Sequence, residues 1–186
     1  MTPSSTLSPA RLWKPLLTLG VLGGAAWLIR ARRGELKALA VGSVLETPSR
    51  RRSYPELRRD LDRAGVRLGG RLARALDTEN NREVARHVIG IERWGQSRLR
   101  VLSGERAFVD DSYQPYRPAD NLSLSELAEL FSLTRAQTSE LARAFGHMPP
   151  VHDTARHNSI GPISAPAWLR YLTMHAEFES RKLKSA

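Results

Sequence analysis

Between residues 124 and 145 one face of the sequence is written out almost without interruption. Leu124, Leu127, Phe131, Thr134, Thr138, Leu141 and Phe145 follow one another at alternating steps of three and four. That period places all of them on one side of an α-helix and contradicts the two-residue period of a strand. A stripe of this length has to be buried against other helices, because one helix cannot cover its own apolar face. Ser123, with Glu126 three residues on, is the capping-box signature for its start. Gly146 and Pro149–Pro150 stop it.

Three further stretches carry the same period. The first, about 54–76, has Leu57, Leu61, Ala64, Leu68, Leu72 and Ala75, with Pro55 suited to a first turn. The second, about 80–103, has Val84, Val88, Ile91, Trp94 and Leu102, with Gly104 just past its end. The last is "WLRYLTMHAEFESRKL" (168–183), with Ser164 as N-cap and Pro166 in the first turn. Long connections, 104–122 and 146–163, separate these helices, and no strand-like alternation of useful length occurs. The expected fold is all-α, a four-helix bundle.

The net charge of +10 on 186 residues invites a nucleic-acid reading, so its location matters. Residues 1–70 hold 13 Lys/Arg against 5 Asp/Glu, and residues 71–186 hold 16 against 14. The excess clusters around an apolar segment, in "RARR" (30–33) and "RRR" (50–52), a pattern of juxtamembrane anchoring rather than groove recognition. Nucleic acid is not expected as a partner. The 15 residues from Pro15 to Ile29 carry no charge, and Trp13 and Trp27 sit near the two ends. Residues 12–33 are therefore a candidate single-pass transmembrane helix with a basic flank, preceded by a disordered stretch (1–11) and followed by a linker (34–52). A cleaved signal peptide and a surface-lying helix are the competing readings. The basic excess after the segment favours a cytoplasmic C-terminal domain, or a soluble cytoplasmic protein if the segment does not span. There is no cysteine, which removes disulfides, thiolate metal sites and a cysteine nucleophile.

One feature of the last helix breaks its stripe. The positions between Leu172 and Leu183 on the buried face are His175 and Glu179, one turn apart. His87, three after Val84 and four before Ile91, lies on the apolar face of the second helix. A buried carboxylate needs a cation, a donor network or water. Two imidazoles and a carboxylate from facing helices can hold a divalent metal, with positions left open, as Zn²⁺, Ni²⁺ or Fe²⁺ sites require. The alternative is a pair of core histidines hydrogen-bonded to Glu179 with no metal.

The order and spacing of three stretches resemble a known family. "EVARHVIGIERWGQSRLRVL" (83–102), "FVDDSYQPYRPADNLSLSELAELFSLTRAQT" (108–138) and "HNSIGPISAPAWLRYLTMHAEFE" (157–179) are similar to segments of the DinB-like (YfiT-like) superfamily of metal-dependent bacterial proteins. The resemblance covers residues 53–184. It implies a four-helix bundle with a long crossover connection, here preceded by an N-terminal hydrophobic helix that the family pattern lacks. It also implies a metal histidine at His87 and a His-x-x-x-His pair, of which this chain has His175 and then Glu179 in place of the last histidine. Members include transferases that use the metal to activate a low-molecular-weight thiol.

Two functions are therefore expected to compete. One is a metal-dependent thiol transferase or hydrolase with a small-molecule substrate or thiol cofactor. The other is a non-catalytic, membrane-tethered helical module that binds a ligand or partner and has lost the metal. Asp110, Asp111, Tyr113 and Arg117 in the first long connection, and His147, His152 and especially His157 in the second, are the residues placed to line or cover such a site. A homodimer is compatible with either function.

Overall fold

The computed structural model describes residues 41–185. These are mostly helical, with one small two-stranded sheet. The four long helices are α1 (Tyr54–Leu72), α2 (Glu79–Leu102), α3 (Leu124–Phe145) and α4 (Ala165–Ser180). Their starts follow from local chemistry. Ser53 and Glu56 close a capping box on α1, and Ser123 and Glu126 close another on α3. Thr78 accepts from the Asn81 N–H at the start of α2, and Ser164 accepts from the Ala167 N–H at the start of α4.

Helix α1 stops four residues before the sequence pattern does. Past Leu72 the backbone turns to meet the C-terminal tail, where the Leu76 N–H donates to the Lys184 carbonyl at 3.1 Å. The Asn81 side-chain amide donates to the carbonyls of Leu76 and Lys184, both at 2.8 Å, and its oxygen accepts from the Lys184 N–H. An asparagine that satisfies three backbone groups at once offsets the helical turn given up.

Side-chain pairs fix the directions. Arg58 donates to Ser139 and Arg135 to the Leu61 carbonyl, so α1 and α3 are antiparallel. Glu92 meets Arg135 and Gln96 meets Thr138, so α2 and α3 are parallel. Leu172 packs on Gly95 while His175 reaches His87, so α4 is antiparallel to α2. Parallel α2 and α3 force their connection to travel the length of the helices, and contacts trace it. Val109 and Asp111 lie at Arg98, Tyr116 at Ser97, Arg117 at Gly90 and Glu83, and Asp120 at Arg86. This strap explains why Arg86, Ser97 and Arg98 of α2 are buried beside its apolar residues.

Two apolar clusters fill the interior. One gathers Leu61, Trp94, Leu102, Phe145, Trp168 and Leu172, and the other Leu68, Val88, Leu127, Phe131 and Ala176. Between them lies a polar belt. Arg135 donates to Glu92 at 2.8 Å, and Gln96 donates to the Thr134 carbonyl and the Thr138 hydroxyl. Burial raises the Glu92 carboxyl above its ordinary value, with Arg135 opposing.

The second long connection holds a hairpin that the sequence reading did not contain. β1 (Ala155–His157) pairs antiparallel with β2 (Gly161–Ile163), in the register Ala155↔Ile163, Arg156↔Pro162, His157↔Gly161. Three-residue strands are too short for alternation to show, and the signal was Gly161, whose φ of +88° few other residues adopt. The region read as a linker also differs. Residues Gly42–Glu46 and Thr47–Arg50 are helical, with Leu45 and Ser49 buried. The Glu46 carboxylate accepts from the Ser164 backbone N–H and hydroxyl, both at 2.8 Å, so this lead-in secures the start of α4.

Among the described residues no helix is long and apolar enough to cross a membrane. The disordered stretch 1–11, the candidate membrane segment 12–33 and the first seven residues of the expected linker (34–40) lie outside the described residues.

Gly95 lets α2 and α4 approach closely: a Cβ there would lie 2.7 and 2.9 Å from the Leu172 methyl carbons. Leu172 is itself buried and has little room to move. Gly95→Ala is expected to destabilise the fold by ~1–3 kcal/mol, as overpacked core sites do, measured as a lowered urea midpoint. An unchanged midpoint would show that the two helices slide apart at little cost.

Candidate metal centre

The inward break in the α4 stripe is real. Glu179 is buried at 7% exposure, and His175 and His87 are partly buried. One ligand atom from each of the three lies within 4.8 Å of the others. His87 comes from the first half of α2. His175 and Glu179 come from the second half of α4, one turn apart, and the antiparallel packing of the two helices brings them level.

The imidazole nitrogens His87 Nε2 and His175 Nε2 are 3.2 Å apart. Two nitrogens bound at ~2.05 Å to one tetrahedral ion lie about 3.3 Å apart, so the separation suits a shared metal. It equally suits one imidazole N–H donating to the other. Both arrangements need neutral rings, and the surroundings supply them. Burial and then the neighbouring His87 push His175 down to about 4, and burial lowers His87 as well. Protons therefore compete weakly with a metal for these nitrogens near neutral pH.

A sign follows for the metal-free protein. A folded-state value near 4, against an ordinary 6.5, means that the unfolded chain binds more protons between those two pH values. Stability contributed by the neutral ring is present above 6.5 and is lost as pH falls toward 4. The loss is expected to total about 3 kcal/mol, read as a falling urea midpoint in the presence of a chelator. A flat midpoint from pH 7 to 5 would contradict it.

Glu179 has a partner that sequence reasoning missed. The Lys182 ammonium, three residues on, lies 2.7 Å from its Oε1. Lys182 is half-exposed, so it can leave for solvent, which makes it a removable counter-ion for a buried carboxylate. The i, i+3 spacing was the signal in the sequence. Tyr171 is the second omission. Its ring centroid is 5.7 Å from that of His175, and burial first, then the Glu179 charge, pushes its hydroxyl up to about 12. It stays a phenol under any ordinary condition and can donate a hydrogen bond but not act as a base.

The other expected site residues separate. Tyr113 of the strap stacks edge-on against His87 with centroids 5.0 Å apart, so it walls the site. Asp111 does not reach it. Its carboxylate accepts from Trp94 Nε1 at 3.1 Å, Arg98 at 2.8 Å and the Tyr116 hydroxyl at 2.7 Å. Burial alone would raise its carboxyl, but Tyr116, Arg98 and Trp94 outweigh it and hold it below the ordinary range. Asp111 thus pins the strap to α2. Arg117 forks onto Glu83 at 2.9 and 2.5 Å, closing the strap further along. His157 is buried in an aromatic group with Trp94, Trp168 and Tyr171, and its Nδ1 accepts from the Ser159 and Ile160 N–H groups. Those bonds shape the hairpin turn. Asp110, His147 and His152 are exposed and stand apart from the three ligand candidates.

Open grooves of about 490 and 560 Å³ run along α1–α4 and α1–α3, and neither is lined by His87, His175 or Glu179.

No protein-family model matches the chain, nor does any curated protein or solved structure.

Proposed function

We propose that the chain is a DinB-like protein, a four-helix bundle with a long crossover connection, that holds one divalent metal (zinc, nickel or iron) through His87, His175 and Glu179. The observation that carries this is the convergence of the three ligand atoms on two antiparallel helices, with the imidazoles held neutral. Two histidines and one carboxylate leave open positions, and a metal bound there would lower the pKa of a thiol or water held beside it. The chain's own residues then have limited tasks. His87 and His175 orient through the helices, Tyr113 excludes water from one side, and Lys182 yields Glu179. A thiol transferase or a hydrolase fits this arrangement, with a small molecule as substrate. The order of motifs quoted above supports the family reading. The apolar run before the domain supports a single-pass membrane anchor with the bundle on the cytoplasmic side.

The full-length protein is expected to carry close to one equivalent of divalent metal by elemental analysis after dialysis against micromolar zinc. No retained metal would remove the mechanism. The second reading, a helical binding module without metal, is favoured by the Lys182–Glu179 pair, which already satisfies the carboxylate. The two part on Lys182→Met. A metal site is expected to tighten by about tenfold once its competing cation is gone, measured by chelator competition. A structural pair would instead lose stability, with no gain in metal affinity.

A further inference from the structure

Within the described residues, one basic face lies along α1 and α4. Arg63, Arg67 and Arg71 follow one another at steps of four along α1; Arg170 on α4 faces Arg63 and Arg67 across the groove, and Arg181, just past the end of α4, lines an adjoining depression with Arg67 and Arg71. Two carboxylates share this groove: Asp60 pairs with Arg63, and Glu177 pairs with Arg67. Three of the five guanidinium groups, those of Arg71, Arg170 and Arg181, have no carboxylate within ion-pair distance among the described residues. The exposed side of α3 leans the other way, with Glu126, Glu129 and Glu140 against Arg143, which pairs with Glu140. The domain is therefore charge-asymmetric, with one basic side.

That side is also apolar in the right place. Met174 lines the same groove, and Phe178, one turn further along α4, is 60% exposed. Large apolar side chains rimmed by arginines fit a surface that offers both negative charge and hydrocarbon. The chain enters the domain beside this face, since Arg170 donates to the Val44 carbonyl at 2.7 Å. The sequence preceding Val41 carries the uncharged run 15–29 and the arginines 30, 32 and 33. From the charge, the exposed apolar pair and the point of chain entry, we infer that the α1–α4 face docks on an anionic lipid surface, with Met174 and Phe178 in the headgroup layer. This stands apart from the metal reading, because none of the three ligand candidates lies on the groove.

The absence of cysteine makes the test local. Full-length protein carrying Phe178→Cys is labelled with a polarity-sensitive fluorophore and titrated with phosphatidylcholine vesicles, with or without phosphatidylserine. A blue shift is expected only with phosphatidylserine. This separates contact by the face from insertion of residues 12–33, which would leave the probe in water. Arg67→Gln/Arg71→Gln/Arg181→Gln is expected to weaken that signal on the order of 100-fold, and Arg71→Gln alone about fivefold. The charge-matched Arg106→Gln/Arg143→Gln/Arg156→Gln, on other exposed positions, is expected to change it less than about twofold. An equal shift on neutral vesicles overturns the proposal, as does wild-type affinity in the arginine variants. Loss of the vesicle signal to duplex DNA at equal phosphate concentration also overturns it, and assigns the face to nucleic acid.

Discussion

His87→Ala and His175→Ala are each expected to lower divalent-metal affinity by at least about 100-fold, with the helices intact by circular dichroism. Each removes one of the three candidate ligands, and two remaining donors would hold a metal poorly. The effect on stability runs through mass action. With free metal at 100 times its dissociation constant, wild-type protein is expected to gain ~2.7 kcal/mol, seen as a rise in Tm, and the variants are expected to show no rise. Glu179→Gln removes the charge but keeps the shape, so it is expected to weaken binding less than either histidine variant. Glu179→His restores the histidine pair implied by the family resemblance and is expected to bind zinc at least as tightly as wild type. If His175→Ala retains wild-type affinity, the three side chains are a hydrogen-bonded cluster and the metal reading fails.

The buried belt yields the second large effect. Arg135 and Glu92 are almost fully buried, and among the described residues each has one polar atom with no hydrogen-bond partner, Arg135 Nε and Glu92 Oε1. Removing either partner alone strands a charge between the two apolar clusters. Glu92→Ala or Arg135→Ala is expected to cost ~3–5 kcal/mol in urea denaturation. The double variant Glu92→Met/Arg135→Met fills similar volume without charge, so it is expected to be neutral or more stable, by up to about 4 kcal/mol. A double variant as weak as the singles would show that the pair is worth more than its desolvation cost. Gly65 sharpens the point: a Cβ there would lie 2.8 Å from Arg135 Cγ, so α1 leaves room for this arginine.

Much of the helical pattern was legible. The stripe of α3, its capping box and its stop at Gly146 follow from period and local chemistry alone, and the structure has them where the sequence puts them. The break in the α4 stripe was legible for the same reason: periodicity says which way a residue faces even when its type disagrees. What periodicity omits is everything that depends on a second segment arriving. Arg98 and Arg86 look like ordinary solvent-facing arginines until the strap lies over them and its carbonyls at Val109 and Asp120 receive their N–H groups. Asp111 looked like a residue lining or covering the site because a loop carboxylate gives no hint that Trp94, Arg98 and Tyr116 will converge on it. The lead-in at 41–50 was read as linker because ten residues are too few to show a stripe. Its anchor, Glu46 on Ser164, joins residues 118 apart in sequence.

The order of the helices sets when this site can come into being. His87 and His175 are 88 residues apart, and α4 is the last of the four to be made. Until it arrives, α1 and α2 lack the helix that packs against both, and the three-helix precursor keeps an open apolar seam. On the proposed metal reading, a growing chain could not assemble the three candidate ligands before α4 arrives. Loading would follow closure, so a trapped ion would mark a finished molecule, and a metal-starved cell would be expected to accumulate folded but empty protein.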